Sequence, residues 1–166
     1  NLDFLDSNSK VEKKSKSELL TISNSKLAIM SVATFGLYEL YWFYKQWKLV
    51  QKLKKSKEKV ILSTIFAPIS SFALFKNVFS LVKDYNQDKW TNPNWLAIAY
   101  FILVAFWKAP GNWWLISFLS FLPLFPIQNR INHIGGKKVS TSFSAWELLI
   151  VVVGSFLLLL TIFWTE

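Results

Sequence analysis

Five apolar runs, at residues 27–44, 60–75, 94–108, 112–127 and 143–164, are separated by glycine, proline and polar joints. Runs of this length exceed the roughly 4–8 residues of a buried strand and suit helices. The sequence therefore predicts an all-α chain. At 166 residues it is one domain by length. Nine Trp, five Tyr and fifteen Phe crowd into it. A domain this small has trouble burying so many rings in water, whereas lipid accepts them. The expectation is an all-α membrane protein, and a greasy soluble helical bundle is the alternative.

Residues 1–25 are polar and mixed in charge, with Lys10, Lys13, Lys14 and Lys16 set against Asp3, Asp6, Glu12 and Glu18. They read as a flexible tail ahead of a single helical membrane domain over 26–166. The first apolar run begins late and lacks a small-residue cleavage site, so no signal-peptide pattern is seen.

The run 27–44 just reaches across a hydrocarbon core of roughly 30 Å. Thr34-Phe35-Gly36 sits in its middle, and glycine is where a helix can end or turn. Residues 27–44 are thus either one kinked span or a re-entrant hairpin turned at Gly36. Beyond the turn, Tyr38, Tyr41, Lys45, Lys48, Lys52, Lys55 and Lys59 recur at alternating intervals of three and four, one stripe on a helix. This predicts a basic amphipathic helix continuing to residue 58 and lying on an anionic surface, where each lysine contributes about 1 kcal/mol. Tyr and Trp favour the headgroup zone, where an apolar ring and a polar tip are satisfied together.

Pro68 suits the first turn of a helix, and Phe72, Phe75, Phe79 and Val82 follow at helical spacing, which predicts an amphipathic helix over 68–85. Residues 94–108 and 112–127 read as two arms of a tight hairpin about Pro110-Gly111, with Pro123 and Pro126 kinking or ending the second arm. Residues 143–164 form the cleanest span. With 94–108 and 112–127 they make three expected full spans. The positive-inside rule favours this arrangement over one in which 27–44 and 60–82 also span, because it keeps every lysine-rich region on the cytoplasmic side.

The net charge is +9, carried by eighteen lysines and the single Arg130. Nucleic-acid binders favour arginine for bidentate contacts, and here most lysines flank apolar runs, so anionic lipid is the expected partner and nucleic acid is not. The chain has no cysteine and one histidine, which excludes thiolate metal sites and multi-histidine ligation. No metal or other cofactor is expected. Phosphate-binding, zinc-protease and serine-nucleophile motifs are missing, so the chain is read as a non-enzyme.

Two polar features stand out. Asn129, Arg130, Asn132 and His133 follow an apolar helix and could clamp a lipid phosphate or a partner's carboxylate; the plainer reading is a headgroup-level helix end. Glu39 lies within an apolar run, where an acid costs roughly 2.5–3.5 kcal/mol on insertion scales, so it should face protein, water or a cation. Lys76, Arg130 and a neighbouring chain's basic residue are its candidate partners. Glu147 reads as a favourable charge at a helix N-terminus.

The run Thr34-Phe35-Gly36-Leu37-Tyr38-Glu39-Leu40-Tyr41-Trp42-Phe43-Tyr44-Lys45 resembles the Thr-x-Gly-x-Tyr-x-x-Tyr-Trp-x-Tyr-Lys signature of small, uncharacterised bacterial multispan inner-membrane proteins. Pro123-Leu124-x-Pro126-x-Gln128-x-x-Ile131-Asn132 is similar to a later pattern in them, and the similarity covers about residues 25–163. Such proteins have Pro followed by Arg before a Phe-rich helix. Here Pro68-Ile69-Ser70-Ser71 stands instead, so no role of that Arg carries over. The resemblance implies a location in the bacterial inner membrane and no activity.

These readings lead to an accessory or scaffold subunit of a larger membrane complex, with a membrane-protein partner or a second copy covering the short, interrupted segments. A lipid-binding or transport protein with Glu39 and Arg130 in one polar path is the alternative. A membrane-shaping protein is a third.

Overall fold

A computed structural model describes residues 20–54, 59–81, 92–135 and 139–164, excepting the side chains of residues 134, 162 and 164. The described chain is helical. It runs through α1 (Asn24–Ala33), α2 (Leu37–Lys54), α3 (Val60–Ile65), α4 (Ala67–Leu81) and α5 (Pro93–Ala105). A short 3₁₀ turn (Phe106–Lys108) and a long 3₁₀ segment (Gly111–Phe121) precede α6 (Leu124–Gly135) and α7 (Ala145–Trp164). Among the described residues there is no strand; one isolated parallel bridge joins Ile22 to Ser140.

The run 27–44 is not a single helix, because Thr34, Phe35 and Gly36 break it. Phe35 and Gly36 adopt φ of 53° and 84°, the left-handed region that glycine enters freely and phenylalanine enters at a cost. Thr34 closes both ends of the break. Its hydroxyl donates to the Met30 carbonyl at 2.7 Å and accepts from the Tyr38 amide at 2.8 Å. The Gly36 amide reaches back to the Ser31 carbonyl at 2.8 Å, satisfying the end of α1.

α2 ends at Lys54 and residues 55–58 lie outside the described set, so the expected course of the basic helix to 58, and Lys55 with it, is not described. α4 begins where Pro68 predicts, and its expected course over 82–85 again lies outside. The expected polar tail is described from Leu20 onward, and there it is packed: Ile22 is buried and Leu27 opens the core.

The region 94–127 departs most from the expected pair of α-helical arms. The first arm is α5, with Pro93 at its start and the Asn92 side chain accepting from the Asn94 amide at 2.9 Å. Gly111, at φ 62°, turns the chain. The second arm is wound as 3₁₀ over eleven residues, far beyond the roughly 3–4 residues usual for that helix. It stops at Phe121, and a new α-helix starts at Leu124. Pro126 fits the first turn of α6, where a missing amide leaves no bond unmade.

Trp42, Phe43 and Trp47 of α2 form the core with Leu74 and Phe75 of α4 and Leu124, Ile127 and Ile131 of α6. α5 packs on α4 and on the long 3₁₀ segment, and α7 packs on α1. The α1–α7 contact is close at Gly154, where a Cβ would lie 1.8 Å from the Ala33 carbonyl oxygen. The start of α7 is tied down by a reciprocal cap. Glu147 Oε2 accepts from the Ser144 amide at 2.7 Å, and the Ser144 hydroxyl accepts from the Glu147 amide at 3.4 Å. The same Glu147 oxygen receives Lys26 Nζ at 2.8 Å. Among the described residues no helix is long and apolar enough to cross a membrane; α7 is the longest, with twenty residues.

Candidate functional site

Glu39 sits in the first turn of α2, where the partial positive charge of the helix end favours a carboxylate. The Thr34–Gly36 break creates that helix end, which is the local reason an acid is tolerated here. Its side chain is 3 % exposed. Ser120 Oγ donates to Glu39 Oε1 at 2.7 Å, and Tyr100 lines the same cavity. Tyr100 is fixed by rings on two sides, with centroids 5.2 Å from Phe43 and 6.4 Å from Phe75. A serine hydroxyl, and not the lysine or arginine expected from sequence, thus meets this acid.

The carboxylate lies at the floor of a cavity of about 250 Å³. Ser31, Tyr100, Ser117 and Ser120 are among its lining residues, while Leu37, Leu40 and Trp107 bring apolar surface. Ser31 Oγ is buried and has no hydrogen-bond partner among the described residues. No basic side chain lines the cavity. Six separate pieces of the fold build it: the end of α1, the break, the start of α2, α5, the short 3₁₀ turn that carries Trp107 and the long 3₁₀ segment.

Arg130 is not among the residues lining this cavity. It is 1 % exposed and its guanidinium carbon stacks 3.8 Å from the centre of the Phe79 ring, a cation–π contact worth about 2 kcal/mol when desolvated. The segment 128–133 is divided by its helical turn. Gln128, Arg130 and Ile131 face inward, and Asn129 and His133 are exposed. Gln128 Nε2 donates to the Leu20 carbonyl at 2.9 Å and to Asn132 Oδ1 at 2.8 Å. Asn132 Nδ2 donates to the Ile22 carbonyl at 2.9 Å, and Asn24 Nδ2 donates to Asn129 Oδ1 at 3.1 Å. These amides pin residues 20–24 to α6.

The expected stripe on α2 also divides. Tyr38 is buried, with its ring 5.7 Å from that of Tyr41. Tyr41 is exposed, and Lys45 Nζ lies 5.5 Å from its ring centre. Lys48 Nζ lies 4.8 Å over the Tyr44 ring. Lys48 and Lys59 flank a second cavity of about 640 Å³, walled by Ile61, Leu62 and Ile65. Lys52 is exposed nearby on α2.

Sequence reasoning missed Ser31, Tyr100 and Ser120, since single hydroxyls inside apolar runs carry no local signature. It also missed Lys26, which pairs with Glu147; the Ser144-x-x-Glu147 spacing before an apolar run was the available signal. The chain matches no known protein family, no curated protein and no solved structure.

Proposed function

We propose that the chain is a non-enzymatic, membrane-embedded helical protein that serves as an accessory or scaffold subunit of a larger complex. Its site is the bacterial inner membrane, with the basic faces toward the cytoplasm. One observation carries this reading. α7 touches the rest of the protein through a narrow stripe about Glu147, Val151 and Gly154, and leaves Leu148, Val152, Val153, Phe156, Leu159 and Phe163 exposed. In water each such side chain forgoes roughly 1.5–3 kcal/mol of burial, so a continuous set of them calls for a lipid or protein cover. α3 supports the same reading, because Ile61, Leu62 and Ile65 are exposed along it.

Two measurements test it on the full chain. Alkaline carbonate extraction should leave the protein in the membrane pellet, and release into the supernatant would sink the membrane reading. Native mass spectrometry in a mild maltoside should show a defined stoichiometric assembly, with another protein or with a second copy. A monodisperse monomer would sink the scaffold reading.

The lipid-binding reading has its own support in the Lys48–Lys59 cavity. Two cations above an apolar wall match an anionic headgroup above its acyl chains.

A further inference from the structure

We propose that the Glu39 cavity is a binding site for the cationic nitrogen of a small lipophilic ammonium ion. The proposal goes beyond the membrane reading and does not depend on it.

Polarity in the cavity is graded from floor to rim. Ser31, Glu39, Tyr100 and Ser120 form the floor, and none is more than 5 % exposed. Leu37 and Trp107 stand at the rim, 68 % and 66 % exposed. A ligand that fits this gradient has a positive, hydrogen-bond-donating head and an apolar tail. A buried carboxylate is costly without a positive partner, and none lines the cavity; Lys108 Nζ, 6.0 Å from the Trp107 ring centre, is not part of the lining. An ammonium would neutralise the charge where it is least solvated. An anion is refused by Glu39. A hard metal ion would want more charged oxygen ligands and would leave the apolar rim without a role.

Size agrees with the chemistry. About 250 Å³ is the share of roughly eight liquid waters, enough for an amine of a few carbons or for the ethanolamine head of a lipid. The two sources present the same ammonium.

The test uses the full chain in maltoside micelles and n-butylammonium as the probe, followed by titration calorimetry. One saturable site per chain is expected, with n-butanol and butyrate weaker by about tenfold or more. Glu39→Gln should weaken the probe by about tenfold or more. Equal binding of n-butanol, or wild-type affinity in Glu39→Gln, overturns the proposal. Should Glu39→Gln fail to give a native helical spectrum, the wild-type comparison decides alone: n-butanol weaker by about tenfold or more supports the proposal, and n-butanol binding as tightly as n-butylammonium overturns it. Nanodiscs separate the sources. Apparent affinity for n-butylammonium lower in phosphatidylethanolamine than in a neutral glycolipid identifies the lipid headgroup; equal affinity identifies a free amine.

Discussion

The indole N–H of Trp42 donates a 2.6 Å hydrogen bond to the side-chain carbonyl of Gln128, joining residues 86 positions apart. Both side chains are buried. Gln128 spends its amide donors on the Leu20 carbonyl and on Asn132, so one glutamine links α2, α6 and the segment entering α1.

Replacing Gln128 with Leu orphans the Trp42 N–H and the Leu20 carbonyl together, at about 1–3 kcal/mol each. Gln128→Glu keeps an acceptor for Trp42 but buries a carboxylate against the Leu20 carbonyl and Asn132 Oδ1, so its loss should be at least as large. Unfolding in mixed SDS–maltoside micelles measures both. A Leu variant within about 0.5 kcal/mol of wild type would show that this junction does not hold the fold.

Gly154→Ala should separate α7 from α1, because its Cβ would lie 1.8 Å from the Ala33 carbonyl oxygen and backbone cannot step aside cheaply. A loss of about 1–3 kcal/mol is expected. Ser155→Ala, one position on and exposed, is the control and should be nearly silent. Hydrogen exchange along α7 reads out the difference, and equal protection in the two variants would disprove the close contact.

At Gly36 the cause of damage differs. Nothing stands within 4 Å of a Cβ there, yet φ is 84°. Gly36→Ala should therefore cost about 1–2 kcal/mol through backbone conformation alone. Gly36→Asn should cost less, since asparagine tolerates this region. Equal losses for Ala and Asn, measured by thermal unfolding in detergent, would contradict the backbone explanation.

The basic surface gives an electrostatic prediction. The triple change Lys48→Gln, Lys52→Gln and Lys59→Gln should reduce the preference for phosphatidylglycerol over neutral lipid by about 3 kcal/mol, on the scale of about 1 kcal/mol per lysine. Native mass spectrometry of lipid adducts checks this. The wild-type preference should also weaken with added salt, and a salt-independent preference would point to a non-ionic cause.

Helicity, the break at Gly36 and the start of α4 at Pro68 were legible because each rests on local rules of spacing and backbone freedom. The 3₁₀ winding of Gly111–Phe121 was not, since its residues carry no marker that separates it from an α-helix of the same composition. Glu39 was legible as an outlier, because a charge in an apolar run is conspicuous wherever the chain folds. Its surroundings were not: Ser31, Tyr100 and Ser120 come from segments far apart, and only packing brings them to the cavity that holds the acid. The segment 128–133 was recognised as special for a different reason from the one it serves. Its amides tie the backbone of residues 20–24, whereas its expected task was to present a clamp outward.

The long 3₁₀ segment also acts as a ruler. At about 2.0 Å per residue its eleven residues extend about 22 Å, close to the about 20 Å of the thirteen-residue α5 beside it. The two arms therefore match in length although one has fewer residues. Three residues per turn also puts Trp114, Ser117 and Ser120 in a single file, which presents both serines to the Glu39 cavity. Rewound as an α-helix, the segment would shorten to about 16 Å and swing Ser120 about 120° away from Trp114 at the head of the file. The pitch of one short arm thus fixes both the depth of the hairpin and the hydroxyl that holds the buried acid.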